Sequence, residues 1–286
     1  MGKKNITVLC IHGMGDLTED DFRSNVSGLE KRLKNGIDSH KNIKFFRIFF
    51  SDILMRNTDP LHDEYKRNGQ ITWGPARKKF FNSFSDASSI EHRPEGTDST
   101  YYKVQERIYK TIKEAYSFYH SGDGSLMIIA HSLGVQVIIN YLWDSQFEKS
   151  KYGIWSQDRN DQDGIPEDFL RLKNLSCIFS SGCNIPLFVA GKDIIKAPYI
   201  DTQGYNYIWE NYFDAQDPLG WPLNPLGIKY QDDGKHGISY NHLKIRDYRV
   251  NIGLPVINST FLSHTAYWKD KDYIDPLRDA MKKMLV

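Results

Sequence analysis

The chain has 286 residues, of which 40% are hydrophobic and 26% charged, and its formal net charge is +1. That length and balance suit a single soluble α/β domain spanning residues 1–286, with a sizeable buried core. Near-neutrality argues against a nucleic-acid partner or a polybasic membrane patch, and no run reaches the roughly 20 apolar residues of an integral membrane segment.

The three cysteines, Cys10, Cys177 and Cys183, match no zinc spacing, and an odd, sparse set makes no disulfide framework. Cys10 and Cys177 lie inside apolar runs and read as small core residues. At the N-terminus, Met1–Asn5 passes directly into a strand-like run, without the apolar core of a signal peptide, and Ile6 stands where a myristoylation site needs Ser or Thr. A cytoplasmic location is therefore the expectation.

In chain order, Ile6–Ile11 is apolar on successive positions, the pattern of a parallel strand covered on both faces. Leu17–Leu33 reads as a surface helix and Ile43–Phe50 as a second buried strand. Between Ser51 and Thr100 the periodicity degrades, with Pro, Gly and charge interrupting and Trp73, Phe80, Phe81 and Phe84 recurring. So long an irregular stretch predicts a cap or lid insertion over residues 51–100, with a pair of core-packed helices as the alternative. Tyr101–Tyr119 carries apolar residues at helical spacing. After the Ser121–Gly124 break come a strand, Leu126–Ala130, and an apolar helix, Val135–Trp143. Further strands are expected over Leu175–Ser180, Tyr205–Phe213 and Leu243–Val250, and a closing helix over Asp272–Leu285. Strands alternating with helices predict an α/β fold with a mostly parallel central sheet. The acidic run 158–164 fails as a calcium loop, because the frame set by Gly164 places Arg159 first and Leu170 twelfth, where carboxylates are required.

Ala130-His131-Ser132-Leu133-Gly134 lies at the junction of a strand and a helix. A serine at the apex of so tight a turn is held in a strained backbone that lifts its hydroxyl above the sheet edge, and small residues two before and two after let strand and helix approach. The following helix aims its N-terminus at the serine and favours negative charge there. Directly after the first strand comes His12-Gly13-Met14-Gly15-Asp16, whose glycines let backbone N–H groups turn inward. An oxyanion on a substrate carbonyl needs two such donors, assigned here to the N–H groups of Met14 and Leu133. His12 and His131 flank this site, either as polar groups of the pocket beside Gly13 and Gly15 or, as the preferred reading, as turn residues that hydrogen-bond locally.

Together the two motifs resemble the lipase and serine-esterase branch of the α/β-hydrolase superfamily, from Ile6 to about Trp268, as spaced motifs rather than continuous similarity. The resemblance implies an eight-stranded, mostly parallel sheet and a Ser–acid–His order along the chain, with no cofactor and no metal. Ser263-His264-Thr265-Ala266-Tyr267-Trp268 is similar to the family's histidine loop, making His264 the expected base, with His242 and His236 next. Of two candidate acids, Asp217 precedes a proline and resembles the family's Asp-Pro, while Asp214 serves as the alternative or as a turn residue. The resemblance thus implies a serine hydrolase with catalytic Ser132, Asp217 and His264, acting on a small-molecule or lipid acyl ester. Thioesterase, amidase or a catalytically silent binding module are the alternatives. The aromatic insertion and the segment Trp221-Pro222-Leu223 are the expected walls of an apolar acyl pocket.

Overall fold

A computed structural model describes residues 4–69, 74–146, 152–159, 163–193, 207–229, 245–252 and 263–286. Expectations placed on Trp73, Tyr205, His236 and His242, and on part of the acidic run, lie outside them. Six strands form one sheet: β1 (Lys4–Ile11), β2 (Ile43–Ile48), β3 (Asp123–His131), β4 (Leu175–Ser181), β5 (Ile208–Asp214) and β6 (Ile245–Val250). The spatial order is β2-β1-β3-β4-β5-β6 and every neighbouring pair is parallel. The described residues thus give an α/β architecture with six strands, against the eight implied by the family resemblance.

Alternation along the strands sends side chains to two separate cores. One row runs across the sheet in register, Phe46–Leu9–Ile128–Ile178–Trp209–Ile245. It faces α4 (Thr100–His120) and α5 (Leu133–Gln146). The neighbouring row, including Val8, Met127 and Cys177, faces α1 (Glu19–Lys34) and the closing helix, which spans Lys271–Met284. α1 starts where Thr18 caps the Asp21 N–H, and it buries Phe22, Val26, Leu29 and Leu33. α5 is buried nearly all round, which explains its unbroken apolar sequence.

The strand expected over Ile43–Phe50 ends at Ile48 and lies at the sheet edge. Phe46 and Ile48 pack on the first core and Ile43 and Phe45 on the second, while Lys44 and Arg47 are exposed. Residues 51–100 contain two helices, α2 (Ser51–Asn68) and α3 (Pro75–Glu91). Ile53, Leu54, Ala87 and Ile90 join the first core, while Leu61, Tyr65, Phe80 and Phe84 stay exposed. The chain completes its described helices with α6 (Glu167–Leu170), α7 (Ile185–Val189) and α8 (Lys271–Met284). All three cysteines are free and buried, and burial pushes each thiol up, Cys183 to about 12. Among the described residues no helix is long and apolar enough to cross a membrane.

The order β2-β1-β3 reverses direction at β1, so the carboxyl ends of β1 and β3 border the crevice where open parallel sheets place their ligands. Everything that follows sits there. Because Ile128 is fully buried in the middle row of β3, Ile128→Ala is expected to cost about 3–4 kcal/mol, read as a lowered midpoint in urea unfolding with an unchanged slope.

Candidate active site

Ser132 falls between the last residue of β3 and the first of α5, with φ at 53°, in the left-handed region that a serine enters only under constraint. The constraint is visible. Its N–H donates to the Ser181 carbonyl at 2.9 Å, and its own carbonyl accepts from Val135 N–H at 3.0 Å. A Cβ on Gly134 would lie 2.3 Å from the His12 carbonyl oxygen, so only glycine lets α5 begin this close to the end of β1. A Cβ on Gly13 would lie 2.7 Å from Ser132 Cβ and 3.2 Å from its Oγ. Gly13 and Gly134 therefore serve one close contact, between the two loops that hold Ser132.

His264 lies on the turn before α8 and is buried. Its Nε2 is 2.8 Å from Ser132 Oγ and its Nδ1 is 2.8 Å from Asp217 Oδ2. An ionised carboxylate only accepts, so Nδ1 carries the ring proton and Nε2 is left to accept the Ser132 hydroxyl. Asp217 is buried and fully partnered: its Oδ1 accepts Leu219 N–H at 2.9 Å and its Oδ2 accepts the Tyr267 hydroxyl at 2.9 Å. Burial alone would raise its pKa. The hydrogen bond and charge of His264, the Leu219 N–H and the Tyr267 hydroxyl outweigh burial and hold the carboxyl below its ordinary value.

The other candidate acid is placed elsewhere. Asp214 accepts the backbone N–H groups of Gln216 and Ile252, at 2.7 and 2.5 Å, and shapes the turn after β5. Tyr267, which the sequence did not single out for a role, joins the two acids, accepting Asp214 N–H at 2.8 Å while donating to Asp217. Gly182 and Gly220 were also unforeseen. A Cβ on Gly182 would meet the rings of His264 and His131 at 3.0–3.1 Å, and one on Gly220 would lie 2.5 Å from Asp217 Oδ2. Gly182 stands at positive φ against two histidine rings remote in sequence, whereas Gly220 makes room for the carboxylate three residues before it and for the Tyr267 hydroxyl.

His12 and His131 both line the cleft and both bond to backbone. His12 Nδ1–H donates to Gly13 O at 2.6 Å, and its Nε2 accepts Phe50 N–H at 3.0 Å while the ring stacks on Phe50 at 4.1 Å. Burial drives its pKa down to about 4, so the ring stays neutral. His131 Nδ1 lies 3.0 Å from the Ser181 carbonyl, and burial followed by the neighbouring His264 lowers its pKa to about 3. The bonds to Phe50 and Ser181 are long-range rather than local, which extends the turn-residue reading.

In a trans peptide the carbonyl and the following N–H point in opposite directions. With Gly13 O tied to His12, the Met14 N–H therefore turns away from that ring. The Gly15 N–H is taken by Asp86 Oδ2 at 3.1 Å. Among the described residues no partner is found for the Met14 or Leu133 N–H, the two donors assigned from the sequence. α3 clamps this loop: Asp86 holds Gly15, Asn82 donates to Asp16, and Lys78 pairs with Asp16 at 2.7 Å.

The cleft over Ser132 has a volume of about 390 Å³. Its apolar walls are Met14, Leu17, Phe22, Leu219 and Trp268. Among the described residues Trp221–Leu223 do not line it and α3 contributes only Ser83, while α1 and the loop after His264 supply Phe22 and Trp268. A wider groove of about 950 Å³ lies between the β4–β6 face and α8, but Ser132, His264 and Asp217 do not reach it. Among the described residues no group of three or more His, Cys, Asp or Glu is arranged to hold a metal ion.

Asp86 supplies a pH-dependent test of the clamp. Burial raises its carboxyl to about 6 from 3.8, the Gly15 N–H opposing and the Asp16 charge adding. The folded protein therefore keeps a proton that the unfolded chain releases, and the stabilisation this gives is present below about pH 4 and lost as pH rises through about 6. Asp86→Asn, which removes the charge but keeps an acceptor for Gly15, is expected to exceed the parent in stability by about 2 kcal/mol above about pH 7 and by little below about pH 4. Urea unfolding at the two pH values reads this directly, and an equal difference at both would contradict it.

Compared with known proteins, the chain matches no family model and no curated protein.

Proposed function

We propose that this chain is a serine hydrolase of the α/β-hydrolase type that cleaves carboxylic esters through an acyl-enzyme intermediate. The observation that carries the reading is the unbroken series Ser132 Oγ–His264–Asp217, with 2.8 Å at each link, ending on a serine held at positive φ. Such a series has one chemical use that its parts do not have separately. His264 removes the serine proton as Oγ attacks the ester carbonyl, and the resulting imidazolium is stabilised by the Asp217 carboxylate it already touches.

Negative charge then develops on the carbonyl oxygen. The Met14 and Leu133 N–H groups, together with the N-terminus of α5, favour an anion at that point. His264 returns its proton to the departing alcohol, leaving Ser132 acylated. Water enters, His264 takes its proton, and the acid is released as Ser132 is regenerated. Tyr267 and Gly220 keep Asp217 in the orientation that fixes the histidine tautomer. The resting protein already has His264 bonded to Ser132, so no rearrangement is needed to begin. The same chemistry would open a thioester or an amide, and the rate on each class decides among them.

Two measurements test the reading. A fluorophosphonate probe is expected to label the protein on Ser132 and not the Ser132→Ala variant. In a chain-length series of nitrophenyl esters, Ser132→Ala and His264→Ala are each expected to lower kcat by about 10⁴-fold or more, and the double variant by no more than either alone. A protein that neither takes the label nor turns over any ester, thioester or amide would be a binding module instead. Tyr267→Phe, which removes one of the hydrogen bonds on Asp217, is expected to reduce kcat by roughly tenfold with KM little changed.

A further inference from the structure

The cleft does not end at its apolar walls. From Phe22, whose ring stands 4.9 Å from His12, it follows α1 past Asn25 and Gly28 to Arg32. Phe22 to Gly28 is about 9 Å of helix rise. On the opposite side Trp268, 6.4 Å from Phe22, is followed by Lys269, which also lines the cleft. Among the described residues lining the cleft there is no carboxylate, whereas Arg32 and Lys269 are both basic.

Neither cation has an acid partner among the described residues. The nearby acids are committed elsewhere: Glu30 to Lys34 at 2.6 Å, Asp275 to Arg278 at 2.7 Å, and Asp270 to capping α8 through Asp272 N–H. At Gly28 a Cβ would lie 2.9 Å from Arg32 Nη1, the movable end of a long side chain, so the guanidinium lies back over this stretch of α1. The adjoining shallow groove shares Gly28 and Arg32 and adds Lys31, Lys34 and His40, again with no acid among its described lining.

Resting on the ester-hydrolase reading, we propose that the substrate carries an anionic group, a carboxylate or phosphate, which Arg32 and Lys269 hold at the far end of the cleft while its ester lies at Ser132. The apolar walls between accept a short hydrocarbon link. Binding energy gained at the remote anion holds the carbonyl in place for attack. A neutral acyl chain of the same length lacks that anchor.

The test is a set of paired nitrophenyl esters, each neutral acyl chain matched in length by one ending in carboxylate and one ending in phosphate. A second pair carries the charge on the alcohol side. The parent is expected to favour at least one anionic ester over its neutral twin by about tenfold in kcat/KM, and this preference should shrink as salt is raised to about 1 M. In the Arg32→Gln/Lys269→Gln double variant the ratio should fall toward one. Lys113→Gln, which removes a cation paired with Asp163 at 2.8 Å, away from the cleft lining, should leave the ratio as in the parent. Hydrolysis of every twin at equal rates, or a ratio unmoved by the double variant, overturns the anion proposal and leaves the hydrolase reading standing. Absence of both turnover and fluorophosphonate labelling overturns the two together.

Discussion

The close approach of two loops, one after β1 and one after β3, is the constraint on which the rest of the site depends. Parallel neighbours in a sheet end on the same side, so the Gly13 and Ser132 turns must share one small volume. Glycine at 13 and 134 makes that possible by removing the only atoms that would collide. The consequence is a serine forced to positive φ, a conformation that costs of order 1 kcal/mol or more and that persists because both flanking elements are buried. Strain at Ser132 is thus supported by the packing of β1, β3 and α5, whose side chains fill the first core.

Around that fixed point the polar groups are distributed by burial. His12 and His131 lie next to the serine but are kept neutral, each with its Nδ1 against a backbone carbonyl, and burial lowers the pKa of both. His264, by contrast, has a carboxylate on one nitrogen and a hydroxyl on the other. Three imidazoles share the neighbourhood, and their hydrogen-bond partners rather than their positions separate the proposed base from the two that brace the loops. The bracing has a purpose: with Gly13 O and Gly15 N–H both occupied, the peptide between them has little freedom to turn. Helix α3, which begins in an irregular sequence, reaches back to this loop through Asp86, Asn82 and Lys78.

Charge follows a second logic. Asp217 is held ionised in a buried place by donors from three directions. At the outer end of the cleft the imbalance runs the other way, with cations exposed and the local acids paired to other residues. An apolar middle between Ser132, the proposed nucleophile, and an outer positive rim describes a cleft polarised along its length, which is the basis for the proposed anionic substrate.

The sequence by itself determined the elements and the position of Ser132. β1 and β3 were legible because strands covered on both faces are apolar at every position, and α5 because a helix buried all round is too. The Gly13 and Ser132 motifs were legible because close backbone approach demands small residues at fixed local spacing. His264 was placed through its likeness to a known loop. What only the tertiary structure decided are the contacts between residues far apart in the chain. The proline after Asp217 favoured it over Asp214 in the sequence, but what each carboxylate touches was set by the turn after β5, where Asp214 is consumed by backbone N–H groups. Tyr267, Gly182 and Asp86 carry no local signal, since each matters through a partner more than 45 positions away. β2 likewise reads as a buried strand because its residues are apolar, and its place at the edge follows from where the chain crosses next. Local pattern is set by which face of an element meets the core. Which element lies beside which is set by packing the whole chain, and it is there that the site is assembled.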